Sequence, residues 1–135
     1  MDRTGPDARL VDLLRELARE DFRMGIVTFV RRPRIVRRLK MWQFNQYFDS
    51  VVTPDDLPEV KPSAAPFLKA MRDLQVRPVE CYMIGDEPVD MIGARDAGAK
   101  PVGLPRGFFT AAELERAGAG HILSSLDQLS SILFK

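Results

Sequence analysis

Three features of this 135-residue sequence predict an α/β fold with a mostly parallel sheet and helices on both faces. Short apolar runs alternate with segments of helical spacing along the whole chain, the order that builds parallel sheets by crossover connections. The runs are β-branched and uninterrupted, as in RMGIVTFV at residues 23–30, which suits strands covered on both faces. The stretch ECYMIGDEPVDMIGARDAGAK at 80–100 reads as a buried strand, a tight turn at Gly85-Asp86-Glu87 and a helix opening at Pro88.

Each element follows in order. Leu10, Leu13, Leu14 and Leu17 recur at helical spacing within 7–20, predicting an amphipathic helix with one buried face. The strand at 23–30 has one polar exception near its carboxyl end, Thr28. Pro33 then starts a helix whose apolar stripe is Ile35, Val36, Leu39 and Trp42. Residues 48–53 form a second strand, and the loop TPDDLPEVKPS carries Lys61 to a helix over 64–74 with Ser63 as its N-cap. After the strand at 81–84, the helix opening at Pro88 has Gly93, Ala94, Ala97 and Gly98, small enough for close packing on the sheet. A strand at 100–104 leads to Thr110 and Glu113, a capping box that starts a helix ending near Gly118. Ile122 and Leu123 form a last strand, and Ser125 to Gln128 repeats the capping-box pattern before the terminal helix.

Composition narrows the function classes. A formal charge of +1 favours neither a polyanionic partner nor an acidic tail. Arg31, Arg32, Arg34, Arg37, Arg38 and Lys40 form a basic run, but no aromatic stacking positions interleave with them, so a solvated helix face is the better reading than a nucleic-acid surface. The single cysteine, Cys81, has no partner for an internal disulfide and reads as a small core residue. No apolar run reaches membrane-spanning length and the start, MDRTGPDARL, has no signal-peptide core, so a cytoplasmic location is expected.

Thr28, Lys61 and the pair Asp86 and Asp90 all fall at strand ends or adjoining loops. Ligands of parallel α/β sheets bind at the carboxyl ends of the strands. A hydroxyl donor, a cation and two carboxylates suited to hard Mg²⁺ are the parts needed to hold a phosphate and neutralise its charge. The plainer alternative makes Asp86 a helix cap and Asp90 a partner of the helix dipole.

Four stretches together resemble the haloacid dehalogenase (HAD)-like hydrolase superfamily, most closely its phosphoglycolate phosphatase and β-phosphoglucomutase branch. Gly25-Ile26-Val27-Thr28 resembles the second motif, and Tyr47-Phe48-Asp49 with Val51-Val52 the strand that follows. Lys61-Pro62 with Phe67-Leu68 resembles the third motif, and Gly85-Asp86 through Asp90, Gly93-Ala94 and Ala97-Gly98 the fourth. The resemblance implies a Rossmann-like three-layer α/β/α fold, a single core domain over 1–135 without a cap domain, and phosphomonoester hydrolysis on small phosphorylated metabolites. It also implies that Thr28 would hydrogen-bond the phosphoryl group, Lys61 would neutralise charge there, and Asp86 and Asp90 would bind Mg²⁺. Phe29 departs from the small polar residue usual after the motif threonine.

The larger departure concerns the first motif. Relatives begin with a central strand ending in Asp-x-Asp, which carries the nucleophile, and this sequence supplies no such strand. The chain is therefore expected to be a truncated, catalytically incomplete phosphatase domain whose sheet is completed by a partner chain carrying the other half, by a homodimer or by re-pairing. The alternative is a non-catalytic domain that binds a phosphate ligand or a protein partner.

Overall fold

The computed structural model describes residues 7–57 and 63–134. In chain order the elements are α1 (Ala8–Arg19), β1 (Gly25–Val27), α2 (Arg32–Met41), β2 (Ser50–Val52), α3 (Ala65–Leu74), β3 (Tyr82–Gly85), α4 (Pro88–Asp96), β4 (Lys100–Gly103), α5 (Ala111–Arg116), β5 (His121–Ile122) and α6 (Leu129–Leu133). The alternation expected from the sequence is present, and every strand pairing is parallel.

Local chemistry accounts for most boundaries. Asp7 caps α1 by accepting from the Arg9 N–H at 2.8 Å, and Thr110 with Glu113 forms the expected reciprocal capping box of α5. The second predicted box does not form. Ser125 makes no side-chain cap, Gln128 Oε1 instead accepts from the Ser124 N–H at 2.6 Å, and a 3₁₀ turn at Leu126–Gln128 precedes α6. The spacing of the motif was right, but the chain tightens there before it can open as an α-helix. Ser63 also misses the expected N-cap position by one residue: Ala64 occupies it, while Ser63 Oγ accepts from the Ala65 N–H at 3.1 Å.

The sheet is divided. Among the described residues β1 pairs only with β2, and β3, β4 and β5 form a second sheet in that order. Two helices hold the halves together from opposite faces. On one side, Leu13 and Leu17 of α1 pack with Val102, Leu104 and Leu123, while Leu14 packs with Ile35 and Phe44 over Ile26 and Val51. On the other, Phe67 and Met71 of α3 join Ala94 and Ala97 of α4 against both Val27 of β1 and Met83 of β3. Each fully buried leucine of this kind contributes about 1.5–3 kcal/mol of transfer free energy. The bridging side chains are therefore the main tie between the two sheets.

Ala94 and Ala97 pack toward Val27 and Met83 of the strands as expected, whereas Gly93 and Gly98 act differently. A Cβ at Gly93 would lie 2.6 Å from Phe67 Cε2 and 2.7 Å from the Ser63 carbonyl oxygen, so this glycine admits α3. Gly98 lies beyond the helix with φ of +89°, where it turns the chain into β4. Cys81 sits one residue before β3, half-buried, and burial pushes its thiol up, so the reactive thiolate is disfavoured.

The basic run is partly neutralised by the acidic loop after β2. Arg31 pairs with Asp55, and Arg32 reaches both Asp56 and the Val51 carbonyl. Asp55 also accepts from the Arg32 N–H at 2.8 Å and Asp56 from the Thr53 N–H at 2.7 Å. Arg38 lies over the Trp42 ring. The cations nearest the start of α2 thus lock the β2 loop onto the helix.

Two outcomes test this packing. Gly93→Ala gains about 1 kcal/mol of helix propensity but meets a backbone carbonyl that cannot swing aside. A net loss of about 1–2 kcal/mol is expected, seen as a lower urea midpoint at constant slope. For the loop clamp, Asp55 is held below the ordinary carboxylate range by the Arg32 N–H and then Arg31. Burial pushes Asp56 up, and the Thr53 N–H and the Arg32 guanidinium outweigh it. Their stabilisation is present above the unfolded carboxylate pKa near 3.9 and is lost as pH falls through the lower folded values. Asp56→Asn should therefore cost about 0.5–1 kcal/mol at pH 7, and the difference from wild type should shrink in urea titrations taken at successively lower pH.

Candidate active site

The site forms where β1 and β3 end, side by side in the fold. Thr28 follows β1 directly. Its N–H donates to the Val52 carbonyl at 3.0 Å, which continues the ladder to β2. Its Oγ1 accepts from the Val30 N–H at 3.1 Å, which fixes the turn toward α2 and leaves the hydroxyl proton to donate elsewhere.

Asp86 follows β3 in the same way. It is half-buried and has no hydrogen bond or ion pair among the described residues. The residue at the N-cap position of α4 is Glu87, and no side chain caps that helix. Asp86 is therefore not held by the helix start, which removes the plainer reading of this carboxylate. Asp90 lies in the first turn of α4 and folds back over Gly85: a Cβ at Gly85 would be 2.8 Å from Asp90 Cβ and 3.0 Å from Oδ2. The glycine before Asp86 is what allows the second carboxylate to approach the strand end.

Thr28, Asp86 and Asp90 all line one cavity of about 980 Å³. Lys61, the remaining site residue expected from the sequence, lies outside the described residues. Two further residues line the same mouth, Glu87 and Phe29. Glu87 stands beside Asp86 in the turn quoted from the sequence, but nothing in its spacing distinguishes it from a surface glutamate. Phe29 is 53% exposed, an unusual position for a phenylalanine, and its exposure could not be read from an apolar run.

Carboxylates and a hydroxyl are hard oxygen donors, the set that suits Mg²⁺, which commonly takes one or two protein carboxylates and keeps several waters. Asp86 and Asp90 fit that requirement. No larger group of three or more metal-binding side chains is present among the described residues.

Residues 4–104 match the model of the family described as haloacid dehalogenase-like hydrolase. The chain belongs to this family. A curated HAD relative, pyrophosphatase PpaX of Bacillus mycoides, is 34% identical over 122 residues, covering 90% of this chain and 57% of its own length. The chain thus spans a little over half the length of such a relative. Among solved HAD structures, a hydrolase from Pseudomonas syringae superposes with a TM-score of 0.84 at 32% identity, over 96% of this chain and 60% of its own. A HAD phosphatase from Thermococcus onnurineus does so with 0.83 at 29% identity, over 94% and 57%. The shared fold is the α/β arrangement described above. No helix of the described residues is long and apolar enough to cross a membrane.

The Gly85 and Asp90 contact gives a direct test of the site's construction. Gly85→Ala should destabilise the fold by about 1–3 kcal/mol, because the new methyl meets Asp90 Cβ itself. Asp90→Gly should relieve it, and a double-mutant cycle measured by urea unfolding should give a coupling of at least about 0.5 kcal/mol.

Proposed function

We propose that this chain supplies the phosphate-binding and metal-binding half of a phosphomonoester hydrolase site, and that residues 1–135, as one core domain without a cap, bind phosphate without turning it over. The observation that carries the reading is the half-buried Asp86 carboxylate, unpaired among the described residues, at the mouth it shares with Asp90 and the Thr28 hydroxyl. Asp86 and Asp90 would hold Mg²⁺, which when bound supplies positive charge to the phosphate oxygens and helps orient them. The Thr28 hydroxyl donates to a phosphoryl oxygen at the end of β1. Lys61, close in sequence to α3, adds a cation for the same charge.

Covalent phosphoryl transfer in this setting needs a carboxylate positioned to attack. β1 runs into Thr28 and β2 into Thr53, while Asp86, just past β3, is committed to the metal. The attacking carboxylate therefore has to come from polypeptide other than these strands. The names of the relatives, pyrophosphatase PpaX and HAD phosphatase, support a small phosphorylated metabolite as the ligand. A cytoplasmic setting suits such a ligand. Binding without catalysis as the chain's own end purpose is the second reading, and it shares the same site.

Calorimetric titration with Mg²⁺ and inorganic phosphate, beside turnover of an aryl phosphate, tests the proposal. Expected are Mg²⁺ binding that Asp86→Asn weakens by at least about tenfold, roughly 1.4 kcal/mol, phosphate binding that depends on Mg²⁺, and no turnover. Turnover requiring both Mg²⁺ and Asp86 would show that the chain is a complete enzyme. Absence of both binding events from folded protein would overturn the site assignment.

A further inference from the structure

The chain leaves β1 through a turn whose middle residue is Phe29, and that turn is held from both ends. Val27 packs against the cluster of Phe67 and Met71, and Val30 against that of Ile35 and Leu39, so the residues on either side are drawn into two different parts of the core. Between them the Thr28 N–H donates to the Val52 carbonyl at 3.0 Å, and Thr28 Oγ1 accepts from the Val30 N–H at 3.1 Å. A hydroxyl that bonds the N–H two residues on closes a tight local turn. Phe29 is its apex and is 53% exposed.

Phenylalanine is normally withdrawn from water. Phe108, on the loop after β4, is 91% exposed but does not line the cavity. Phe29 does, in company with Thr28, Asp86, Glu87 and Asp90. Consecutive Cα atoms are about 3.8 Å apart, so the aromatic side chain begins one residue from the hydroxyl proposed above to hold the phosphoryl group. The part of a ligand that meets Phe29 is therefore whatever is joined directly to the ester oxygen of its phosphate.

The ring selects by what it lacks as well as by what it offers. It has no donor or acceptor, so a sugar hydroxyl covered by it would lose water without gaining a partner. The carboxylates of Asp86, Glu87 and Asp90 at the same mouth disfavour an added anionic group in the ligand. A neutral planar ring meets neither penalty, and it gains offset-stacked or edge-to-face contact with phenylalanine.

We infer that Phe29 is a specificity-determining residue and that the site takes phosphomonoesters of phenols, with the aryl ring joined to the ester oxygen and packed on the Phe29 ring. This names the ligand class of the phosphate site proposed above and rests on that reading. A nucleotide suits the site less, because its base stands a whole sugar away from the phosphate. The backbone anchors on both sides of Phe29 hold the ring in place before the ligand arrives, which lowers the ordering cost of the contact.

Calorimetric titration of the full chain in saturating Mg²⁺ tests the assignment, with inorganic phosphate, phenyl phosphate, cyclohexyl phosphate and glucose 6-phosphate as ligands. Phenyl phosphate should bind at least about fivefold more tightly than cyclohexyl phosphate, whose ring is of similar size but has no π face. Glucose 6-phosphate should bind more weakly than either. Phe29→Leu should bring the phenyl and cyclohexyl esters to within about twofold of each other, and Phe29→Tyr, which keeps a stacking face, should preserve the preference. Both substitutions fall at an exposed turn, and circular dichroism checks the fold before titration. Equal binding of the phenyl and cyclohexyl esters to wild type, tighter binding of glucose 6-phosphate, or a preference unchanged in Phe29→Leu would overturn the inference and leave the phosphate site standing. Failure of inorganic phosphate and of every ester to bind the folded protein would overturn the phosphate site itself, and this inference with it.

Discussion

Main-chain hydrogen bonding is the constraint on which the rest of this structure depends. A strand in an α/β sheet needs a neighbour on each side or water at its edge, and among the described residues β1 and β3 have a neighbour on one side only. The two sheets remain in one body because α1 and α3 span the interval with leucine, phenylalanine and methionine side chains. Side-chain burial is non-directional and tolerates a gap; peptide pairing does not. The fold therefore keeps its layers while losing continuity in the layer that organises the site.

The site inherits this division. Thr28 belongs to the first sheet and the Asp86 and Asp90 pair to the second. Their relative position rests on helix packing and not on a shared ladder. The close approach of Asp90 to Gly85 is local to one half, and so is the bond between Thr28 Oγ1 and the Val30 N–H. Each half is built well on its own terms. What a continuous sheet would add is the fixed distance between them, and errors of even an ångström are costly wherever several groups must meet one ligand.

Much of this was legible in the sequence because the signals were local. Thr110 announced its helix through an oxygen acceptor three residues ahead of the donor, and Gly85-Asp86 with Pro88 marked the passage from strand to helix. Other features depended on tertiary context. Gly93 reads as a residue that packs on the sheet until Phe67 is seen against it. Arg31 and Arg32 read as solvent-facing until Asp55 and Asp56 fold back onto them, a contact across more than twenty residues. Ser125 had the right spacing for a capping box, yet the tighter 3₁₀ turn won.

Family membership and catalytic competence are separate matters, because a fold is recognised across its whole length while chemistry depends on a few positioned groups. Residues 4–104, the span that matches the family, include strand ends, a helix start and small packing residues, features that form from short-range sequence once the helices collapse onto the strands. Catalysis by a carboxylate nucleophile asks for something longer in range, a reactive group positioned against its substrate by elements distant in sequence. A chain can therefore belong to the HAD family through its strands, turns and packing residues, while turnover rests on groups whose placement the fold alone does not supply.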